Sequence, residues 1–284
     1  MASETKSAKE ANSSGFLGTI GRAFAGAILF SFPILMTMEM WALGSSVDGY
    51  RLALFVLLSF PLLVGLSHYD GFEVTSGLFD DVLDTFVAYA VGFATSASVL
   101  LMFNIINSTM SADEVLGKVA LLALPASLGS VLAQSLLMID DKAHLEAENR
   151  KRRATYAGQL FLMTAGAVFL SMSVAPTEEM ILIGFKMTEW HTIAVLVISI
   201  AVMHAFIHAV EYSGHGNALS PDESEWSVFL RYTVVGYALV LVISYYILWT
   251  FGSLGGMDFT QQIKTAVVLG VPAAFGASAS RLIL

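Results

Sequence analysis

The chain has 284 residues, of which 56% are hydrophobic and 13% charged, and its formal net charge is −9. Soluble domains carry about twice that share of charged residues, so the composition favours an integral membrane protein. The acidic balance excludes a nucleic-acid partner, which would need a basic face, and the absence of cysteine excludes disulfides, thiolate metal sites and thiol nucleophiles.

Small polar residues open the chain, and we predict that 1–15 form a disordered cytoplasmic N-terminus. Apolar segments then recur along the whole length. A helix needs roughly 20 apolar residues to cross about 30 Å of hydrocarbon, and eight segments qualify or nearly qualify: 19–44, 50–67, 82–107, 115–137, 154–175, 190–212, 228–251 and 262–283. They lack period-two alternation, which indicates helices rather than strands. The second segment is short and contains Pro61, so seven spans remain an alternative.

The first segment carries two charged residues near its opposite ends, Arg22 and Glu39. A charge at membrane depth is costly, which makes each a functional candidate. Arg22 is alternatively an interfacial anchor whose guanidinium reaches the headgroups. Glu39 has a counterpart 140 residues later in Glu179, which follows Pro176. Two such carboxylates predict a cation-attracting outer mouth; alternatively, Glu39 only reaches the headgroup layer.

The first segment also carries a family resemblance. The run from Gly21 to Pro33, followed by the string Thr37-Met38-Glu39-Met40-Trp41, resembles a bacterial family of integral membrane proteins of unknown function. The resemblance extends over most of the hydrophobic region and implies a bacterial inner-membrane protein with about seven spans. That family has no assigned activity, so the resemblance transfers no site residues.

Three uncharged residues are candidates for lining a transport path. Asn104 in the third segment either lines a path or joins helices by hydrogen bonds. Pro125 and Pro272 lie mid-segment in the fourth and eighth segments, where proline removes a helix hydrogen bond and frees a carbonyl. Broken helices at equivalent positions of two repeats point to a transport site. The alternative is close packing of the small residues around them.

Short matches between the two halves of the chain predict an internal duplication. Pro125 and Pro272 are 147 residues apart, Glu39 and Glu179 are 140 apart, the segments beginning at Ala88 and Tyr232 are 144 apart, and Gly21 and Gly158 are 137 apart. With eight spans, ten Lys and Arg residues fall on the side of both termini and four on the other. The positive-inside rule therefore places both termini in the cytoplasm.

The densest polar pattern lies in the sixth segment, where His204, His208, Glu211 and His215 follow each other at intervals of four, three and four. This spacing places them on one helical face. Imidazole and carboxylate groups so arranged can bind a divalent metal or relay protons, and His68 stands at the matching end of the first half. Histidines that only join helices by hydrogen bonds are the structural alternative.

We therefore predict an all-α, polytopic transmembrane helical bundle of about eight spans in the bacterial inner membrane. Two parallel four-helix repeats, 16–140 and 154–284, are joined by a basic cytoplasmic linker, 141–153. The predicted function is a channel or secondary transporter, not an enzyme, for a cation or small solute along the repeat interface. Its partners are the lipid bilayer, the transported ion or solute, and a homo-oligomer or small membrane protein. No cofactor is predicted.

Two alternatives remain from the sequence. One is a membrane sensor or assembly factor that acts through a protein partner. The other is a membrane-embedded metalloenzyme in which His204, His208 and Glu211 bind a divalent metal. Tightly bound metal would favour the enzyme, and a dry, closely packed centre would favour the sensor.

Overall fold

A computed structural model describes residues 2–70, 77–136, 154–212 and 225–283. Helices account for nearly all of this part of the chain, and it contains no strand. In chain order they are α1 (Ala2–Leu35), α2 (Met38–Ser46), α3 (Gly49–Asp70), α4 (Leu78–Met102), α5 (Ala112–Leu136), α6 (Tyr156–Val174), α7 (Glu178–Lys186), α8 (Glu189–Tyr212), α9 (Glu225–Val228), a π-helical segment (Phe229–Val234), α10 (Val235–Thr250) and α11 (Phe259–Ile283). The predicted linker 141–153 lies outside the described residues.

Eight of these helical stretches are long and apolar enough to cross a membrane, which confirms the predicted helical bundle of about eight spans. The second predicted segment is among them, as Gly49–Tyr69, even though it contains Pro61. A proline in a membrane helix is tolerated where neighbouring groups satisfy the freed backbone. Eight candidate spans therefore favour the larger of the two predicted numbers.

The first predicted segment differs from the structure at its C-terminal end. Its helix α1 spans Ala2–Leu35. It ends at Leu35, two residues after Pro33, and Thr37 takes an extended conformation before α2 starts. The prediction of one continuous helix across 19–44 is therefore wrong, and Arg22 and Glu39 lie on different helices. The same break, at Ala175 to Thr177, separates α6 from α7.

The chain divides into two compact units. The first unit comprises 1–36 and 59–147, and in it α5 packs against α1 and α4. Every residue of α5 from 117 to 133 is buried. Two close helix crossings explain this burial: Gly26 of α1 meets Gly129 of α5, and Gly92 of α4 meets Ser127 of α5, at distances that leave no space for a Cβ atom.

The second unit comprises 37–58 and 148–284. In it α11 packs against α6, α7, α8 and α10. Gly166 of α6 lies against the backbone of Gly276 of α11, again without space for a Cβ atom. Small residues that let helix backbones approach are the usual contacts between membrane helices, so these glycines determine where the helices cross.

A cation caps the C-terminal end of α10 in the second unit. Arg51, from the first turn of α3, donates from Nη1 to the Trp249 carbonyl at 2.7 Å, and its guanidinium lies 4.9 Å from the centre of the Trp249 ring. The last carbonyls of a helix have no intrahelical partner and attract positive charge. This contact fixes the start of α3 to the end of α10.

Replacing Arg51 by alanine is expected to lower the free energy of unfolding by about 2 kcal/mol, the usual contribution of a charged hydrogen bond with a cation–π contact. Equilibrium unfolding in mixed detergent micelles would measure the change. Lys186→Ala removes an exposed cation and is the control, for which we expect less than about 0.5 kcal/mol. Equal losses for the two variants would contradict a capping role.

Candidate functional site

The most distinctive polar contact of the first unit joins α3 to α4 at the end predicted to face the cytoplasm. His68 lies in the last turn of α3 and Asp81 in the first turn of α4. His68 Nδ1 is 3.1 Å from Asp81 Oδ2. The histidine side chain is 59% exposed, whereas that of Asp81 is only 3% exposed. An accessible imidazole is thus hydrogen-bonded to a buried carboxylate.

Local sequence explains why Asp81 is found there. Gly77 is extended and starts α4, so Asp80 and Asp81 occupy its first turn. Unpaired N–H groups and the helix dipole favour negative charge at this position. One turn later, Thr85 donates its hydroxyl to the Asp81 carbonyl at 2.8 Å, and Ser67 donates to Asp84 Oδ2 at 3.3 Å. Two carboxylates of α4 therefore receive side-chain partners from α3.

Chemically, such a pair suits proton transfer. Histidine changes protonation near neutral pH, and its two ring nitrogens allow one to accept a proton while the other releases one. The exposed His68 is in contact with water, whereas Asp81 lies inside the protein. Sequence analysis had named His68, but the third predicted segment began at 82 and so left out Asp80 and Asp81.

The second unit has a histidine contact between α8 and the π-helical segment. His204 of α8 lies 3.0 Å through Nδ1 from the hydroxyl of Thr233, a fully buried residue of the π-helical segment. The His204 ring also meets the ring of Phe229 edge-on, with centroids 5.1 Å apart. π-helical turns occur frequently at functional sites. The predicted site residue His204 therefore contacts a π-helical turn.

The remaining members of the predicted histidine stripe are only partly described. His208 and Glu211 belong to α8 by their backbone, but their side chains, and all of His215, lie outside the described residues. Within the described part of the chain, no group of three or more His, Cys, Asp or Glu side chains could hold a metal ion. A divalent metal at His204, His208 and Glu211 therefore stays a prediction.

The predicted outer carboxylates lie on the two short helices. Glu39 is in the first turn of α2 and Glu179 in the first turn of α7, where Glu39 is half-buried and Glu179 exposed. Favourable interaction with the helix N-terminus accounts for an acidic residue at each position. Arg22 is half-buried in α1 and donates to the Thr19 hydroxyl at 3.0 Å.

The three candidates for lining a path have different surroundings. Pro125 lies within the fully buried stretch of α5, and Pro272 is half-buried in α11. Asn104 was predicted to lie within the third span, but α4 ends at Met102 and Asn104 is exposed in a turn with φ of 57°. Asparagine is one of the few residues that readily adopt this left-handed conformation. The left-handed conformation of this turn thus explains why an asparagine is found at position 104.

One buried charged pair was missed by sequence reasoning. Lys118 Nζ lies 3.0 Å from Glu114 Oε1, one turn earlier on α5, and 3.9 Å from the sulfur of Met110. The lysine side chain is 8% exposed and the glutamate 33%. The fourth segment was predicted to start at 115, which put Lys118 at the membrane surface. The i, i+4 spacing of opposite charges was the signal that could have identified the pair.

Residues 19–284 match the protein family described as "Putative integral membrane protein (DUF2391)", whose function is unknown. The match covers every candidate span, except for Gly18 at the start of the first, and every residue of the two histidine sites. It confirms the predicted family resemblance and a multi-pass integral membrane protein. No curated protein and no solved structure matches the chain.

Proposed function

We propose that this chain, which belongs to the DUF2391 family of integral membrane proteins, is a channel or secondary transporter for a cation or small solute. The single observation that carries the proposal is the pairing of the buried Asp81 carboxylate with the exposed His68 imidazole. Ionisable groups inside a membrane protein commonly mark ion pathways and proton relays. We further propose that this end of the spans faces the cytoplasm of a bacterium, as the distribution of basic residues predicts.

A relay of protons through this pair needs two transfers. Water delivers a proton to Nε2 of His68, and the proton on Nδ1 then passes to Asp81 Oδ2, 3.1 Å away. The ring returns to its first state when Nδ1 takes up a new proton from water and Nε2 then releases its own proton to water. Burial of Asp81 keeps the accepted proton away from bulk water, as a coupled transporter requires.

We propose in addition that the two halves are copies of each other. Support comes from helix crossings within each unit: Gly26 meets Gly129, and Gly166 meets Gly276. These pairs correspond at offsets of 140 and 147 residues. The offset of 140 also relates Thr37, which precedes α2, to the residue that precedes α7. The first span is therefore better aligned at 140 than at the 137 predicted from Gly21 and Gly158.

The fourth helix of each half supports a similar revision. The left-handed turns after α4 and α10 are at Asn104 and Gly252, which are 148 residues apart. The same offset relates Tyr89, which hydrogen-bonds the Ser59 hydroxyl, to Tyr237, which lies beside Ser199. An offset of 148 thus replaces the predicted 144 in this helix. It pairs the two fully buried threonines of the histidine sites, Thr85 and Thr233.

Proton flux into proteoliposomes with an imposed pH gradient tests the proposed function, with potassium, sodium and divalent ions measured alongside. We expect Asp81→Asn and His68→Gln each to lower proton-coupled flux at least about tenfold, since positioned acid–base groups contribute about 10²–10⁴ in rate. The control is His191→Gln, because His191 is an exposed histidine that hydrogen-bonds its neighbour Thr188.

If His191→Gln lowers the proton-coupled flux as much as His68→Gln does, the assigned relay is contradicted. An absence of flux for every ion, from folded protein, would overturn the transport function itself. The function would then be that of a membrane sensor or assembly factor.

A further inference from the structure

Lys118 is a buried cation within the most buried span of the first unit. Its ammonium contacts the Glu114 carboxylate at 3.0 Å and the weakly accepting sulfur of Met110 at 3.9 Å. A lysine that merely reaches the headgroups would expose its ammonium, but this side chain is 8% exposed. Such a cation is stable only while an anionic partner remains in place.

The two members of this pair differ in how easily they can leave it. Glu114 is one-third exposed, so its carboxylate can rotate into water and regain hydration. The Lys118 side chain is buried, so its ammonium cannot reach water without leaving the packed interior. An external cation would compete for Glu114 and leave Lys118 unpaired and buried, which is strongly unfavourable. An external anion would replace Glu114 and leave Lys118 paired. In this pair, therefore, the Glu114 carboxylate is the group that an external anion can replace.

The second unit offers a hydrogen-bond donor at the corresponding position. An offset of 147 residues relates Glu114 to Gln261, Lys118 to Thr265 and Met110 to Met257. Gln261 is 9% exposed, and its Nε2 has no hydrogen-bond partner among the described residues. A buried donor without an acceptor is costly unless a ligand or water supplies one. Each unit therefore has a buried N–H donor in the first two turns of a long helix, Lys118 in α5 and Gln261 in α11.

We propose that Lys118 is the binding group of a site for a small carboxylate anion and that Glu114 occupies this site when the ligand is absent. A carboxylate replaces the outgoing group with one of the same charge and geometry, and it forms a charge-assisted hydrogen bond to the ammonium. The site lies at the opposite end of α4 and α5 from His68 and Asp81. Small carboxylates would then be the substrate class of the proposed transporter, and this part of the inference rests on the proposed function.

Acetate binding to purified protein in detergent micelles, measured by titration calorimetry, tests the site without requiring flux. Glu114→Gln removes the internal competitor, so we expect acetate to bind this variant at least about tenfold more tightly than it binds the native protein. Acetate should also raise the unfolding temperature of the variant. Glu114→Asp shortens the competing side chain while keeping its charge, and it should give a smaller gain. Chloride at equal ionic strength should give no comparable gain.

Glu189→Gln is the matched control, because Glu189 pairs with Lys264 at 2.8 Å in the second unit but is 67% exposed. It should leave acetate affinity unchanged. The proposal is overturned if folded Glu114→Gln and Glu114→Asp bind acetate no more tightly than the native protein, if chloride matches acetate, or if Glu114→Gln/Lys118→Met keeps the gain. Acetate binding without any ion or solute flux would support this site and overturn only the transport function.

Discussion

Gly166→Ala is expected to lower the free energy of unfolding by about 3 kcal/mol, at the upper end for an added methyl group in a packed interior. The new Cβ would overlap the backbone carbonyl of Gly276 and the side chain of Ser280. A carbonyl in the middle of a membrane helix cannot move away without shifting the whole helix. The variant must therefore separate α6 from α11, and equilibrium unfolding in mixed detergent micelles would measure the loss.

Gly21→Ala provides the control, because no atom lies within 4 Å of its added Cβ. Alanine has the higher helix propensity, so this variant should match or exceed the native protein in stability. Gly26→Ala should reproduce the loss in the first unit, since its Cβ would overlap Gly129 and Ala133. A large loss for Gly166→Ala with none for Gly26→Ala would contradict the equivalence of the two crossings.

The number and type of the spans could be predicted because membrane helices have to be long and apolar. A stretch such as Leu78–Met102 satisfies this requirement whatever its neighbours are. The end of α1 could not be predicted in the same way. Hydropathy continues through Met36 and Met38, and only Pro33 indicates that the helix will stop. The chain there turns without the glycine that usually marks a helix end.

The proposed alignment of the two halves differs from two of the predicted offsets by about one helical turn, and there is a physical reason for the difference. A shift of three or four residues leaves the same face of a helix toward the core, so apolar patterns hardly distinguish the two registers. Contacts do distinguish them. The glycine crossing of Gly166 with Gly276, and the left-handed residue Gly252, each occupy one geometrically defined place.

The candidate site was predicted in part, for a related reason. His204 stands out in an apolar segment by its helical spacing to His208, and His68 could be named because it stands at the matching end of the first half. Their partners could not be. Asp81 directly precedes the third predicted segment, and its burial and its contact with His68 appear only in the folded arrangement of the helices. Thr233 is an ordinary hydroxyl residue until the π-helical turn directs it toward His204.

The proposed counterparts of Glu114 and Lys118 in the second half of the chain are Gln261 and Thr265, which are uncharged. Glu114→Gln alone should destabilise the protein by about 3 kcal/mol, because Lys118 is left buried without its carboxylate. Lys118→Thr alone should cost less, about 1–2 kcal/mol, since Glu114 is one-third exposed and can turn toward water. The double substitution installs the residues found at Gln261 and Thr265, an uncharged pair that the protein already accommodates on α11.

The double variant is therefore expected to unfold within about 1 kcal/mol of the native protein, because a buried ion pair can be replaced by uncharged groups at little net cost. All four proteins of this cycle would be compared by equilibrium unfolding in the same micelles, without acetate or other carboxylates. The expected coupling is about 3 kcal/mol or more, well above the deviation found for independent sites. Additive losses would mean that Glu114 and Lys118 do not stabilise each other. That result would contradict both the exchangeable pair and its equivalence to Gln261 and Thr265.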